Sequence, residues 1–152
     1  PTSSVGSVSV SRTSTRPNKE KETLRQGRMF ALVPRDVQNT EFVVSGILRI
    51  CTQNAYMLID SGSTNSFVSH AFSRKLTRPI EHMNYVLYIS TPSRCSMICA
   101  YVYPVYDVMI GDVLLYVDLM PVAIDHFDYI LEMDCLTKYY ATIDCVAKSV
   151  VF

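Results

Sequence analysis

The sequence has no net charge, no long apolar run and no paired set of cysteines, and each absence removes a class of function. Fourteen Lys and Arg balance fourteen Asp and Glu in 152 residues, so no global field draws the chain to nucleic acid or to an anionic membrane. Neither is an expected partner. No stretch approaches the roughly 18 apolar residues that span a bilayer, and the Ser/Thr-rich start has no apolar signal segment. The expectation is an intracellular, cytoplasmic protein. The five cysteines, Cys51, Cys95, Cys99, Cys135 and Cys145, are an odd number without a short-chain disulfide framework, which favours reduced thiols. Cys95 and Cys99 have no second Cys/His pair at ligand spacing, so no metal site and no cofactor is expected. There is no internal repeat.

A hydrophobic content of 49% over 152 residues supports the core of one domain and leaves little room for two. Residues 1–27 are rich in Ser and Thr, carry a Lys-Glu-Lys-Glu cluster and have no apolar periodicity. They read as a disordered linker ahead of a domain over 28–152. Within that domain, short apolar, β-branched and aromatic runs alternate with turn residues. Strands are expected at 28–33, closed by Pro34, and at 42–51, with Gly46 marking a bend or bulge. A turn at Gln53 and Asn54 then leads into a strand at 55–59. Residues 84–91 and 97–103 are expected to form a hairpin with Pro92, Ser93, Arg94 and Cys95 between them, and Gly111-Asp112 supplies a tight primed turn between 105–110 and 113–120. Further short strands are expected at 122–124 and 129–131, and two more within 141–152. Helix is limited to 66–76, where Phe67, Val68, Ala71, Phe72 and Leu76 recur at helical spacing behind a cap at Asn65 or Ser66, and to 134–140. The fold class is mainly β.

One stretch carries the chemistry. The apolar run 55–59 ends abruptly in Asp60, Ser61, Gly62, Ser63 and Thr64, which reads as a buried strand delivering a single carboxylate to a tight loop. Gly62 lets another backbone, or a second carboxylate, approach where a Cβ would obstruct it. An ordinary turn after a strand uses the same residue types, so the triplet by itself leaves both readings open.

The context narrows them. Ile-Asp60-Ser-Gly-Ser-Thr followed by Ser66-Phe-Val resembles the active-site loop of retropepsin-like aspartic proteases, particularly those of gypsy-type LTR retrotransposons of plants. Asp128-Tyr-Ile-Leu-Glu-Met-Asp-Cys-Leu136 and Tyr140-Ala-Thr-Ile-Asp144-Cys145 resemble two later motifs of that family. The resemblance implies a retropepsin-like β-barrel with one or two short helices, half of a symmetric homodimer, that cleaves a polypeptide substrate such as a Gag-Pol polyprotein. It implies Asp60 as the catalytic acid/base, Ser61 as a bridge to the opposite loop, Gly62 as the point of close approach, and Ser63 and Thr64 as hydrogen-bonding residues near substrate. Thr91, Pro92, Ser93 and Arg94 then fall in the flap that closes over it. Asp128, Asp134 and Asp144 match family positions outside the catalytic pair and are expected to make structural hydrogen bonds.

Three positions depart from the family pattern. Glu132 stands at a family glycine, Cys135 at a tryptophan, and Ser93-Arg94 at the flap's Leu-Gly. Glu132 is expected to be a carboxylate packed behind the active-site loop, unless the loop shifts to let it reach water. The alternative function is therefore a protease-like dimer impaired in catalysis, a degenerate retroelement copy or a binding module.

Overall fold

A computed structural model describes residues 23–29, 43–50, 52–144, 146–147 and 149–152. Most of the linker expected at 1–27, the strand expected over 30–33, Cys51 and Cys145 lie outside these residues.

Eight strands make one mixed sheet. In chain order they are β1 (Thr23–Arg28), β2 (Val43–Ile50), β3 (Gln53–Asp60), β4 (Ser66–Ser69), β5 (Glu81–Ser90), β6 (Ser96–Ile110), β7 (Val113–Val122) and β8 (Tyr129–Glu132); in space the order is β1-β5-β6-β7-β4-β8-β3-β2. Two single-turn helices, α1 (His70–Ser73) and α2 (Met133–Thr137), follow β4 and β8, and a separate two-stranded sheet pairs β9 (Thr142–Asp144) with β10 (Ser149–Val151). The mainly β expectation holds.

The order of pairing explains the position of Asp60. β2 and β3 form a regular antiparallel hairpin from Ile50↔Gln53 to Val43↔Asp60, and β8 runs parallel on the other side of β3 with Glu132 opposite Asp60. The end of β3 is thus held on both sides, and Asp60 sits where the ladder stops. Two apolar clusters pack the sheet. One includes Val44, Ile59, Val68, Tyr106, Leu115, Tyr129, Leu131 and Cys135. The other gathers Met29, Leu58, Phe67, Leu87, Ile89 and Ile130. Alternate residues of β3 enter different clusters, as the two-residue period of a strand requires.

Several sequence expectations need correction. Residues 23–27 are strand rather than linker, since Thr23–Arg28 pairs along β5. The helix expected at 66–76 begins as strand: Ser66–Ser69 is buried at every position between β7 and β8, and only one helical turn follows. Filling the gap in the sheet outweighs a helical spacing that two turns of amphipathic pattern could not secure. Ser69, not Asn65 or Ser66, is the cap, accepting the Phe72 N–H at 3.0 Å. Gly46 lies in an unbroken ladder, with open space where a side chain would point, so it marks no bulge. Register shifts lie instead between His82 and Leu87 of β5 and in β6, a single strand through Pro104 that shifts against β7 between Tyr103 and Tyr106. A bulge is where a strand can hold a proline. The Gly111 turn is as expected, with φ +59° at its first central position.

Candidate active site

The loop after β3 is closed by its own carboxylate. Asp60 accepts the Gly62 N–H on Oδ1 at 2.9 Å, and its carbonyl accepts the Ser63 N–H at 3.1 Å. Asp60 has no exposed surface (0%) although the chain stands alone, while Ser61 and Thr64 are exposed. Burying a carboxylate requires hydrogen-bond donors around it, and the tight turn supplies one from two residues on. Ser63 is buried and donates from Oγ to the Asn65 carbonyl at 2.7 Å, which fixes the far side of the loop.

Sequence reasoning missed the residue that ties this loop to the rest of the sheet. Arg28 donates its backbone N–H to Thr64 Oγ1 at 2.9 Å, its carbonyl accepts the Thr64 N–H at 3.1 Å, and its Nε donates to the Gly62 carbonyl at 3.1 Å. Met29 N–H then reaches the Ser90 carbonyl at 2.9 Å, at the end of β5. These bonds cross more than thirty residues of sequence, so no local pattern announces them. Ser66 is expected from the sequence as a possible cap and as part of the motif that follows Asp60. Its buried Oγ accepts the Glu132 N–H at 3.2 Å, joining β4 to β8 directly beside Asp60.

The hairpin expected over 84–103 is present, β5 with β6, and its tip is bonded to itself. Arg94 N–H reaches the Thr91 carbonyl at 3.1 Å, while Thr91 Oγ1 donates to the Cys95 carbonyl at 2.6 Å and lies 3.1 Å from Ser93 Oγ. Pro92, Ser93 and Arg94 are exposed. Arg94 has φ +59°, a backbone conformation that favours the glycine the family carries there. Among the described residues the tip makes no hydrogen bond to the Asp60 loop; the connection runs from Ser90 through Met29 and Arg28. Asp60 to Thr64 thus form one cluster, and Thr91 to Arg94 form a second.

Glu132 is not packed behind the loop as a buried carboxylate. Its backbone lies beside Asp60, but its half-buried side chain lines an open depression with Val105, Tyr116, Asp118, Cys135 and Lys138. The Glu132 side chain therefore has access to water. Cys135 is buried next to it, and burial together with the Glu132 carboxylate pushes its thiol up to about 11. Such a thiol stays protonated and unreactive at neutral pH. Asp128 accepts the Tyr56 N–H at 2.8 Å and Asp144 accepts the N–H groups of Val146 and Ala147 at 2.9 and 2.8 Å. Both have the structural roles expected; the Asp134 side chain is outside the described residues. Cys95, Cys99 and Cys135 are free thiols. Among the described residues, no three His, Cys, Asp or Glu side chains gather as a metal group, and no helix is long and apolar enough to cross a membrane.

The chain resembles solved structures in fold. The crystal structure of the retroviral protease-like domain of Ddi1 from Leishmania major superposes with a TM-score of 0.53 at 12% identity, covering 72% of this chain and 87% of that one. No curated protein matches the sequence. The family model described as retroviral aspartyl protease matches residues 23–152, a span that begins with the first residue of β1 and includes the Asp60 loop, the β5–β6 hairpin and β8. The chain belongs to the retroviral aspartyl protease family.

Proposed function

We propose that this chain is an aspartic endopeptidase that works as a homodimer, each protomer contributing its Asp60. The observation that carries the reading is the single Asp60, held at the end of a three-strand ladder with its Oδ1 fixed by the Gly62 N–H. Peptide hydrolysis by carboxylates needs two of them on one water. The ionised one takes a proton from the water as its oxygen attacks the scissile carbonyl; the protonated one hydrogen-bonds the carbonyl oxygen. Two carboxylates at that range share a proton and titrate as a pair. One Asp-Ser-Gly loop per chain then calls for a two-fold axis through the loops. The β9–β10 sheet supports an association, because it is separate from the main sheet and exposes Val146, Val151 and Phe152. A polyprotein of the gypsy type is the substrate class we favour, from the motifs around Asp60, Asp128 and Asp144.

A second reading, a protease-like dimer that no longer cleaves, is favoured by two observations: Asp60 has no exposed surface, and Arg94 strains the hairpin tip. One experiment separates them. Purified protein is incubated with a Gag-type polyprotein or a peptide mixture over a range of protein concentrations, with and without pepstatin. The proposal expects cleavage that rises more steeply than linearly with protomer concentration, is blocked by pepstatin, and falls by about a thousandfold or more in Asp60→Asn. Cleavage by a protein that stays monomeric would refute it.

A further inference from the structure

β1 has an unusual relationship to the site. It is an edge strand, parallel to β5 from Thr23↔Tyr85 to Arg28↔Ser90, and of its residues Gly27 alone is buried. Arg25 rests over the Tyr85 ring at 4.0 Å while Leu24 is 60% exposed. The hold tightens only at the end, where the chain passes between β5 and the loop that carries Asp60. There the contacts are those of backbone to backbone or loop: the Arg28 N–H and carbonyl to Thr64, and the Met29 N–H to Ser90. Gly27 fits because it lacks a side chain. A Cβ would stand 3.0 Å from Leu87 Cδ1 and 3.3 Å from Asn65 Oδ1. Met29, 2% exposed, fills a place in the apolar cluster that holds Phe67, Leu87 and Ile89.

An extended peptide held by main-chain hydrogen bonds along a sheet edge, with one apolar side chain seated in a pocket, is bound by strand addition. β1 has those features, and it sits against the loop of the one carboxylate that needs a peptide. We propose that residues 23–29 are an internal occupant of the peptide-binding slot, so that the lone chain is self-occluded and an external peptide must displace β1 before it can reach Asp60. This rests on the endopeptidase reading for what the slot is for. It does not rest on it for what fills the slot. The complete burial of Asp60 accords with an occupied site. Thr23 to Gln26 are lightly held, so release has to break chiefly the contacts of Gly27, Arg28 and Met29, and parallel pairing is the weaker kind.

The test uses the full chain and two substitutions. Gly27→Val places branched carbon against Leu87 and Asn65; Arg28→Ala removes the guanidinium bond to Gly62 and leaves the apolar cluster intact. Each is titrated with a fluorescent heptapeptide of the sequence 23–29, and amide exchange is followed over residues 85–90. A tethered strand competes at a millimolar effective concentration, so displacing it should tighten binding of the added peptide by about tenfold or more in Gly27→Val and by a smaller factor in Arg28→Ala. Exchange along β5 should quicken in both variants and slow again with saturating peptide. If neither variant binds the peptide better than the parent, β1 is an integral strand and the inference is overturned. If Gly27→Val loses its cooperative melt, Arg28→Ala decides alone. Tighter peptide binding without any Asp60-dependent cleavage would sustain the occupant and sink the endopeptidase reading; Asp60-dependent cleavage with unchanged peptide binding would do the reverse.

Discussion

Residues 60–65 and residues 91–95 are both tight reversals after a strand, yet they are built in opposite ways. The first draws its bonds from far along the chain: Arg28 supports Gly62 and Thr64, and β2 and β8 flank Asp60. The second is closed by Thr91, Ser93, Arg94 and Cys95 among themselves, in solvent. A reversal that must hold a carboxylate in one place is fixed by the tertiary fold. One that stands in solvent needs only to hold its own shape. Damage to the first should therefore be felt by the whole domain, and damage to the second should stay local.

The largest effect is expected at Cys135, beside Glu132. Its thiol is held near 11 in the folded chain against an ordinary 9.0, so between those values the folded state keeps a proton that the unfolded state has lost. The associated stability is complete below about pH 9 and disappears as pH rises through 11, a loss on the order of 2 kcal/mol. Urea melts of the parent and Cys135→Ala at pH 8 and pH 10.5 measure it; the parent should lose more than the variant. Equal losses would mean that the thiol is not held in its neutral form.

Next in size is Thr64→Val, which leaves the Arg28 N–H without its hydroxyl acceptor. We expect about 1–2 kcal/mol of destabilisation, whereas Thr91→Val at the hairpin tip should stay within about 0.5 kcal/mol. Similar losses at both positions would erase the contrast between the two reversals.

Two substitutions toward the family pattern should then move stability in opposite directions. Glu132→Gly removes a side chain that already reaches solvent and puts glycine into β8, so thermal melting should show a loss of about 0.5–1 kcal/mol. Arg94→Gly relieves φ +59° and should gain up to about 1 kcal/mol, less the added freedom of the unfolded chain. A gain in Glu132→Gly would restore the picture of an acid crowding the Asp60 loop.

Much of this molecule was legible in the chain. The apolar run into Asp60, the Gly111-Asp112 turn and the two closing strands are local patterns whose period and turn chemistry survive folding unchanged. The motif resemblance carried the family. Other features depended on distant neighbours: Ser66 to Ser69 have helical spacing and become strand because β7 and β8 leave a slot of that width.

The sequence by itself determined that the fold is mainly β and that one carboxylate stands at the end of a buried strand. These follow from residue types and their order. Tertiary structure decided where Glu132 points, that Arg94 takes a left-handed backbone, and that Arg28 and Met29 join the Asp60 loop to β5. The physical reason is the same in each case: a side chain's exposure and a backbone's partners are set by strands that are neighbours in space and distant in sequence.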